Sequence, residues 1–343
     1  MGKLDIKSML FEELSEYFAA QGFQKFRAKQ VFDWLHAKQV ESFSEMTNLP
    51  NDMLKNLEEQ CYVTALSIER KLISSIDETA KYLFKLPDGE LVETVLMKYK
   101  HGNSVCVSTQ VGCKMGCSFC ASTKAGFVRN LTASEILEQI YKVQKDSGER
   151  ISNVVLMGIG EPLDNYDNVV KFLKLISDDR GNNLSLRHLS LSTCGVVDKI
   201  YELAELKLGL TLSISLHAPT NALREQTMPI NKKYNIEELL KACRHYAKVT
   251  SRRISFEYAL IKDVNDSQKC ADELAALLRG MLCHVNLIPV NEIKEISFQK
   301  SDRRSIESFS AYLNNKGINT TIRRTLGTDI SAACGQLRRE NIE

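Results

Sequence analysis

Val105-Cys106-Val107-Ser108-Thr109-Gln110-Val111-Gly112-Cys113-Lys114-Met115-Gly116-Cys117-Ser118-Phe119-Cys120 is the stretch from which the fold and chemistry of this chain can be read. It opens with alternating β-branched residues that predict a strand over Val105 to Thr109, and runs directly into a C-x3-C-x2-C triplet. Gly112 and Gly116 give the backbone the freedom to loop, so that Cys113, Cys117 and Cys120 wrap one face of a cubane. Three thiolates bind three irons and leave a fourth iron open, whereas an electron-carrying ferredoxin supplies four cysteines. A zinc site usually shows a second C-x2-C pair or a histidine at finger-like spacing, and neither lies nearby.

Downstream of this loop, strand-like and helix-like stretches alternate. The strand candidates are Asn153 to Met157, His188 to Ser192, Leu210 to Ser215, Ile254 to Leu260, Val285 to Ile288 and Asn319 to Arg323. The clearest helix opens on the capping box Thr132-Ala133-Ser134-Glu135 and continues through Ile136, Ile140 and Val143. Repeated βα units imply parallel strands with crossover helices, hence a full or partial α/β barrel or an open α/β sheet. In either architecture chemistry sits at the carboxyl ends of the strands. Upstream, residues 1 to about 70 read as helical, with Leu10, Leu14, Tyr17 and Phe18, then Phe23, Phe26, Val31, Phe32 and Leu35 forming an apolar stripe broken at Gly22. Between about 70 and 100 the period shifts to two around Pro87-Asp88-Gly89, which predicts a β-hairpin.

Composition narrows the functional classes. The 343 residues are 43% apolar and 26% charged, with 45 basic against 43 acidic side chains and a net charge of +2. That is an ordinary folded chain, one large domain with a smaller appendage, and excludes collagenous or wholly disordered classes. Apolar runs such as Val154 to Met157 and Leu287 to Val290 are far too short to span a bilayer. Acidic Glu12, Glu13 and Glu16 follow the N-terminus where a signal peptide would be apolar. Ten cysteines are too few and too unevenly placed for a disulfide scaffold, so a reducing, cytoplasmic location is expected and a cysteine cluster reads as metal-binding or catalytic. The near-zero net charge neither favours nor excludes nucleic acid, because a partner meets local patches.

Further motifs extend the cysteine stretch in order along the chain: Gly126-Phe-Val-Arg-Asn-Leu-Thr132, Met157-Gly-Ile-Gly-Glu-Pro-Leu163, Leu191-Ser-Thr-Cys-Gly-Val-Val197, Ser215-Leu-His-Ala-Pro219, Met228-Pro-Ile-Asn231, Leu287-Ile-Pro289 with Asn291, and Ala332-Ala-Cys-Gly-Gln336. Together they resemble the RlmN/Cfr family of radical S-adenosylmethionine (SAM) RNA methyltransferases, and the resemblance covers essentially the whole chain. It implies a partial (βα)6 TIM-like α/β barrel over residues 101–343 with a catalytic-cysteine tail, a hairpin linker over 71–100 and a small helical RNA-binding domain over 1–70. It also implies one [4Fe-4S] cluster on Cys113, Cys117 and Cys120, with SAM chelating the open iron. The implied reaction is methylation of carbon two of an adenine in 23S rRNA and tRNA, with two SAM molecules consumed per turnover and an electron donor such as flavodoxin. Carbon two is an electrophilic ring carbon with no lone pair, so ordinary methyl transfer fails there and a radical route is needed.

The resemblance assigns the roles residue by residue. Cys334 takes a methyl from the first SAM, although a lone cysteine is more often a small buried hydrophobe. Cys106 attacks the Cys334 sulfur to form a transient disulfide that frees the RNA. Glu93 accepts the proton from the adduct's ring carbon. Gly160, Glu161, Ser192, Ser215, Leu216, His217 and Asn291 hold SAM, the glycines letting backbone approach the ligand and the carboxylate receiving its amino group. Within the family, Gly160-Glu161-Pro162, Gly195-Val196-Val197 and His217-Ala218-Pro219 are similar to the carbon-two branch; the rival is a carbon-eight enzyme that confers antibiotic resistance. A non-catalytic iron-sulfur or zinc RNA-binding protein is the remaining alternative. Candidate RNA contacts are Lys25, Arg27, Lys29, Arg252, Arg253, Arg303, Arg304, Arg323, Arg324, Arg338 and Arg339, although residues 1 to 60 carry more acidic than basic groups. Cys194, where the family commonly has Ser, and Leu326, which stands in an Arg-Gly-x-Asp position, depart from the pattern.

Overall fold

The computed structural model describes residues 2–100, 102–123, 126–290, 298–330 and 332. At the N-terminus, strand β1 (Leu4–Asp5), helices α1 (Phe11–Ala20), α2 (Lys25–His36) and α3 (Asn51–Gln60), and strand β2 (Cys61–Tyr62) form a small module, β1 pairing parallel with β2. Leu14, Phe18, Val31, Phe32 and Leu35 are buried as their spacing predicts, and Ala28 is buried with them. Phe26 is different: it stands out of phase with the Ala28, Val31, Phe32, Leu35 stripe and is 50% exposed.

Next come β3 (Ser67–Ile73), β4 (Ala80–Lys85) and β5 (Leu91–Met97), antiparallel neighbours. The stretch near residue 70, expected to be helical, is therefore a strand; it is the sheet edge, and its Glu69-Arg70-Lys71 run is the charged, mostly exposed kind that blunts an edge. The β4–β5 turn is the Pro87-Asp88-Gly89 turn, with Gly89 at φ 91°. Strand β5 also pairs antiparallel with β6 (Asn103–Cys106), so this segment is built into the main sheet where the sequence suggested a linker.

After β6 the hairpin β7 (Gln110–Gly112) and β8 (Phe127–Asn130) carries the cysteine loop, and α4 (Ala133–Ser147) follows, capped by Thr132 and Glu135. The chain then alternates: β9 (Ile151–Leu156), α5 (Tyr166–Ser177), β10 (Leu189–Thr193), α6 (Val197–Glu205), β11 (Thr211–Ser215), α7 (Asn221–Thr227), α8 (Ile236–Thr250), β12 (Ile254–Leu260), α9 (Gln268–Leu278), β13 (Cys283–Pro289), α10 (Arg303–Asn315) and β14 (Thr320–Ile322). From β6 through β9 to β14, every strand lies parallel to its neighbour in sequence, so the sheet winds in one direction. This is the expected partial (βα)6 barrel, extended at one edge by β5, β4 and β3; no pairing among the described residues joins β14 to β3.

The N-terminal module shares its apolar core with the barrel. Polar contacts fix its seat on α4: Lys7 Nζ lies 2.5 Å from Glu138 Oε1 and donates to the Val40 and Thr64 carbonyls at 2.8 and 3.0 Å. Both charged side chains are at most 1% exposed. Asp5 Oδ2 accepts from Ser134 Oγ at 2.5 Å beside them. Removing one partner of a buried pair strands the other charge, so Lys7→Met is expected to cost about 3–5 kcal/mol of stability in urea unfolding. An unchanged midpoint and slope would show that the pair does not hold the module.

Candidate active site

The cysteine loop returns on itself through Gly112, at φ 76°, where an added Cβ would lie 1.8 Å from the Gly126 carbonyl oxygen. That approach leaves room for the Cys113 N–H to donate to the same oxygen at 3.0 Å. The triplet is thereby folded around one cavity of about 290 Å³, and Cys113, Cys117 and Cys120 all line it. None of the three is in a disulfide. Burial pushes the Cys113 thiol up to about 12 and the Cys117 thiol further, and neighbouring thiols add to both shifts. Such thiols ionise readily only against a cation. Among the described residues no three His, Cys, Asp or Glu side chains close on a single ion. Three sulfurs spread around a cavity suit a cluster that offers each its own iron better than a lone zinc. Met115, Phe119, Cys194, Met228 and Ile230 pack around the loop as an apolar sheath, which places Cys194 against Cys117.

Strand carboxyl ends form the opposite wall. Gly160, Glu161, Ser192, Ser215 and His217 line the same cavity as the cysteines. The glycines, however, answer to the protein itself. A Cβ on Gly158 would meet the Val107 carbonyl oxygen at 2.5 Å, and one on Gly160 would meet Gln110 at 2.6 Å. Glu161 is buried; its carboxylate accepts from the Cys194 and Leu163 N–H groups at 2.8 and 3.0 Å. Burial raises its pKa against the lowering effect of these bonds. The Thr193 and Cys194 side chains hydrogen-bond to the same carboxylate. His217 sits at φ 56°, an uncommon conformation for a non-glycine residue, and its Nδ1 accepts from the Ala259 N–H at 2.9 Å. The hydrogen-bond network thus assigns the ring proton to Nε2. Leu216 is not brought to the cavity: its side chain is fully buried, and its N–H and carbonyl are engaged by the Glu257 carbonyl and the Arg224 guanidinium. Asn291 lies outside the described residues.

Two residues that the motifs did not single out complete this wall. Arg224, fully buried, donates to the carbonyls of Cys194, Ser215 and Leu216 and to Asn231 Oδ1, tying the ends of β10 and β11 together. Glu257 lines the cavity floor, held by Asn286 at 2.8 Å and Ser255 at 3.2 Å, with its pKa raised by burial. One Arg on a short amphipathic helix and one Glu within a strand carry no distinguishing spacing, so sequence had no signal for either.

A second cavity of about 220 Å³ adjoins the first, sharing Met157, Gly158, Ile288, Pro289 and Arg323 with it. Glu93 and Cys106 line it, and so does Ala332, the described residue nearest Cys334 in sequence. Cys334 itself lies outside the described residues. The tail leading there is latched to the β3–β4 turn: Asp329 accepts from Ser74 Oγ at 2.6 Å and from the Ser75 N–H at 2.9 Å, and the Gly327 N–H donates to Asp77 at 2.9 Å. Glu93, expected on an alternating strand whose Glu usually faces solvent, is 2% exposed and lies 3.1 Å from Lys81 Nζ.

The basic candidates separate by position. Arg252 and Arg253 precede β12 and Arg252 reaches Thr211 at the start of β11, which puts the pair at the barrel end remote from the cavities. Arg323 and Arg324 line the second cavity, and Arg303 and Arg304 open α10 on the cavity end. On α2, Lys25 and Lys29 are exposed and Arg27 lies over the exposed Phe26 ring at 4.7 Å. Arg338 and Arg339 lie outside the described residues. No helix among the described residues is long and apolar enough to cross a membrane.

A singly wound parallel arc with a three-cysteine loop after its first parallel strand, and polar strand ends facing that loop across a cavity, defines a radical SAM barrel. Comparison agrees: residues 107–274 match the radical SAM superfamily and residues 4–63 match the ribosomal RNA large subunit methyltransferase N-terminal domain. The probable dual-specificity RNA methyltransferase RlmN of Clostridium novyi (strain NT) is 55% identical over 98% of both chains, and that of Alkaliphilus oremlandii (strain OhILAs) is 55% identical over 100% of both. A crystal structure of a radical SAM methyltransferase from Sphaerobacter thermophilus superposes with a TM-score of 0.92 at 41% identity, covering 97% of this chain and 98% of that one. SuiB of Streptococcus suis bound to S-adenosylmethionine, at 16% identity, TM-score 0.50 and 64% of this chain against 50% of that one, shares the fold alone. The chain belongs to the RlmN family of the radical SAM superfamily, and its cofactors are a [4Fe-4S] cluster and SAM.

Burial lowers the pKa of His217 and of His36 to about 3, with Arg224 and Lys7 respectively adding to the effect. Both rings are neutral in the fold and take up a proton on unfolding below the ordinary value of 6.5. The unfolded state therefore binds more protons between 6.5 and about 3, and stability falls as pH falls through that window. Urea unfolding at a series of pH values should show this decline, and His36→Phe should flatten it. An equal slope in the variant would refute the assignment.

Proposed function

We propose that this protein methylates carbon two of an adenine in RNA, with 23S rRNA and tRNA as substrates, in the cytoplasm and with an electron donor such as flavodoxin. The observation that carries the reading is the pair of adjoining cavities: three cluster-holding thiols and polar strand ends in one, a carboxylate and a thiol in the other, with Arg323 on the shared wall. When bound, the cluster and SAM supply the radical chemistry that a ring carbon without a lone pair requires.

The chain's own residues do the rest. Cys113, Cys117 and Cys120 hold the cluster inside an apolar sheath that keeps water away. Glu161, Ser192, Ser215 and His217 orient SAM, the neutral His217 offering its Nε2–H, with Gly160 shaping the turn beside them and Asn291 as a further contact to the same ligand. Cys334 carries the methyl group; Ala332, two residues before it on the tail latched by Asp329, lines the second cavity. Glu93 takes the proton from the ring carbon, and Cys106 then releases the product by attacking the Cys334 sulfur. At about 11, the Cys106 thiol is protonated at neutral pH, which suits a nucleophile needed only late in the cycle.

Anaerobic turnover of the iron-reconstituted protein with methyl-labelled SAM, a reductant and unmodified 23S rRNA should yield 2-methyladenosine in nucleoside mass spectrometry. Cys113→Ala and Cys334→Ala should each abolish it. Finding 8-methyladenosine would move the protein to the carbon-eight branch, and uncleaved SAM with no modified base would remove the methyltransferase reading.

Lys25, Phe26, Arg27 and Lys29 put basic and aromatic side chains together in the first turn and a half of α2, on a module that is acidic overall. Replacing the three cations by Ala should weaken RNA binding and flatten the slope of log K against log salt by about 0.7–0.9 for each phosphate that these cations neutralise. A salt slope equal to that of the unaltered protein would place RNA on another face.

A further inference from the structure

Lys81 brings a cation into the interior of the sheet. Its Nζ lies 3.1 Å from Glu93 Oε2, and each side chain is 1% exposed. The pair shares a sheet face with Cys106. Lys81 is in register with Val95 and Val95 with Cys106, so one cross-strand row runs Lys81, Val95, Cys106 through β4, β5 and β6. Glu93 stands two residues from Val95 and so points to the same face. Glu93 and Cys106 then meet in one cavity, whose titratable lining among the described residues also includes Tyr99, Arg323 and Arg324. Burial is the largest influence on Cys106; of the charges around it, Arg323 and Lys81 favour its thiolate and Glu93 opposes it.

We propose that the Lys81–Glu93 pair is a charge gate on Cys106: the Glu93 carboxylate balances Lys81 and adds to burial in keeping Cys106 a thiol, and protonation of Glu93 turns the lysine's charge onto Cys106 and raises the thiolate fraction that makes the attack. The inference rests on the functional reading above and makes Lys81 a positioning residue that acts through Glu93 and Cys106. In a buried site a charge that loses its counter-ion is poorly screened, so its effect on a neighbouring group grows. The gate sets an order. Proton removal from the ring carbon comes first, and product release is enabled by that same proton. In the release step the Cys106 thiolate bonds to the Cys334 sulfur as the sulfur–carbon bond breaks. That bond's electron pair passes to the methylene carbon on adenine, which becomes the methyl group by taking up one proton, equal to the one that the Cys106 thiol gives up as its thiolate forms. The two sulfurs lose, as a disulfide, the two electrons that the carbon gains.

The test is the alkylation rate of Cys106 by iodoacetamide in the full-length, iron-reconstituted protein, read on the Cys106 peptide by mass spectrometry at a series of pH values. Glu93→Gln imitates the protonated carboxyl, and it should raise the rate by about tenfold, the change expected for one pKa unit. Glu93→Gln with Lys81→Met should cancel the rise, and Glu93→Gln with Lys81→Arg should retain it. Replacing both members of a buried pair by neutral residues is usually tolerated; Glu93→Gln with Lys81→Gln serves where the Met variant does not unfold cooperatively. An unchanged or slower rate in Glu93→Gln overturns the gate. So does a rise that survives loss of the lysine, which would assign the effect to Arg323. Formation of 2-methyladenosine by the wild-type protein is measured separately, so failure of the methyltransferase reading and failure of the gate are distinguishable.

Discussion

Gln139 on α4 uses its whole side-chain hydrogen-bonding capacity at one junction. Its Oε1 accepts from the Ser108 N–H at 2.8 Å and Thr94 Oγ1 at 2.9 Å, and its Nε2 donates to the Ser108 and Glu135 carbonyls at 2.9 and 3.2 Å. Ser108 Oγ in turn donates to the Glu93 carbonyl at 2.7 Å and accepts from the Ile159 N–H at 3.0 Å. Two adjacent polar residues thereby tie together the strand that carries Glu93, the strand end that carries Cys106, and the Gly158–Gly160 turn of the first cavity. Buried polar groups left unpaired are costly, so this network permits one arrangement of the three segments.

The same constraint recurs on the far wall. Parallel strands end with unpaired carbonyls, and where those ends are buried something must donate to them. Arg224 does so for three residues at once, with a planar fork suited to several acceptors. Burial keeps His217 neutral and the charge of Arg224 adds to it, so a structural tie contributes to the protonation state of a cavity-lining ring. Glu161 does the converse work, using carboxylate oxygens to satisfy the N–H groups of Cys194 and Leu163. Cys194 fits here as part of the apolar sheath around the cysteine loop, its backbone held by Glu161 and Arg224.

Much of the architecture is legible because it depends on local pattern. The Thr132 capping box, the Pro87-Asp88-Gly89 turn and the βα alternation are short-range signals, and each names its element. The segment near Ser67–Ile73 departs from the helical expectation because its pattern is that of an edge strand with charged residues, which resembles a polar helix until a partner strand is known. Gly158 and Gly160 illustrate a right residue with an incomplete reason: a glycine signals close approach, but only the fold reveals that the approaching groups are the Val107–Ser108 backbone and Gln110. Lys81 carries no functional signal in sequence, since a lysine on an alternating strand ordinarily faces water.

By itself, the sequence determined the spacing of the three thiols, the order of the βα units and the residue types that later meet in the two cavities, because these follow from chain geometry and periodicity over a few residues. Only the tertiary structure decided which of those residues are buried together. It brought Lys81 to Glu93 and Cys106 across three strands, seated the helical module on α4 through Lys7 and Glu138, and placed Arg224 across the strand ends. The physical reason is that charge and hydrogen bonding act through space between residues far apart in sequence, and the pairing of such partners is set by strand register and helix docking.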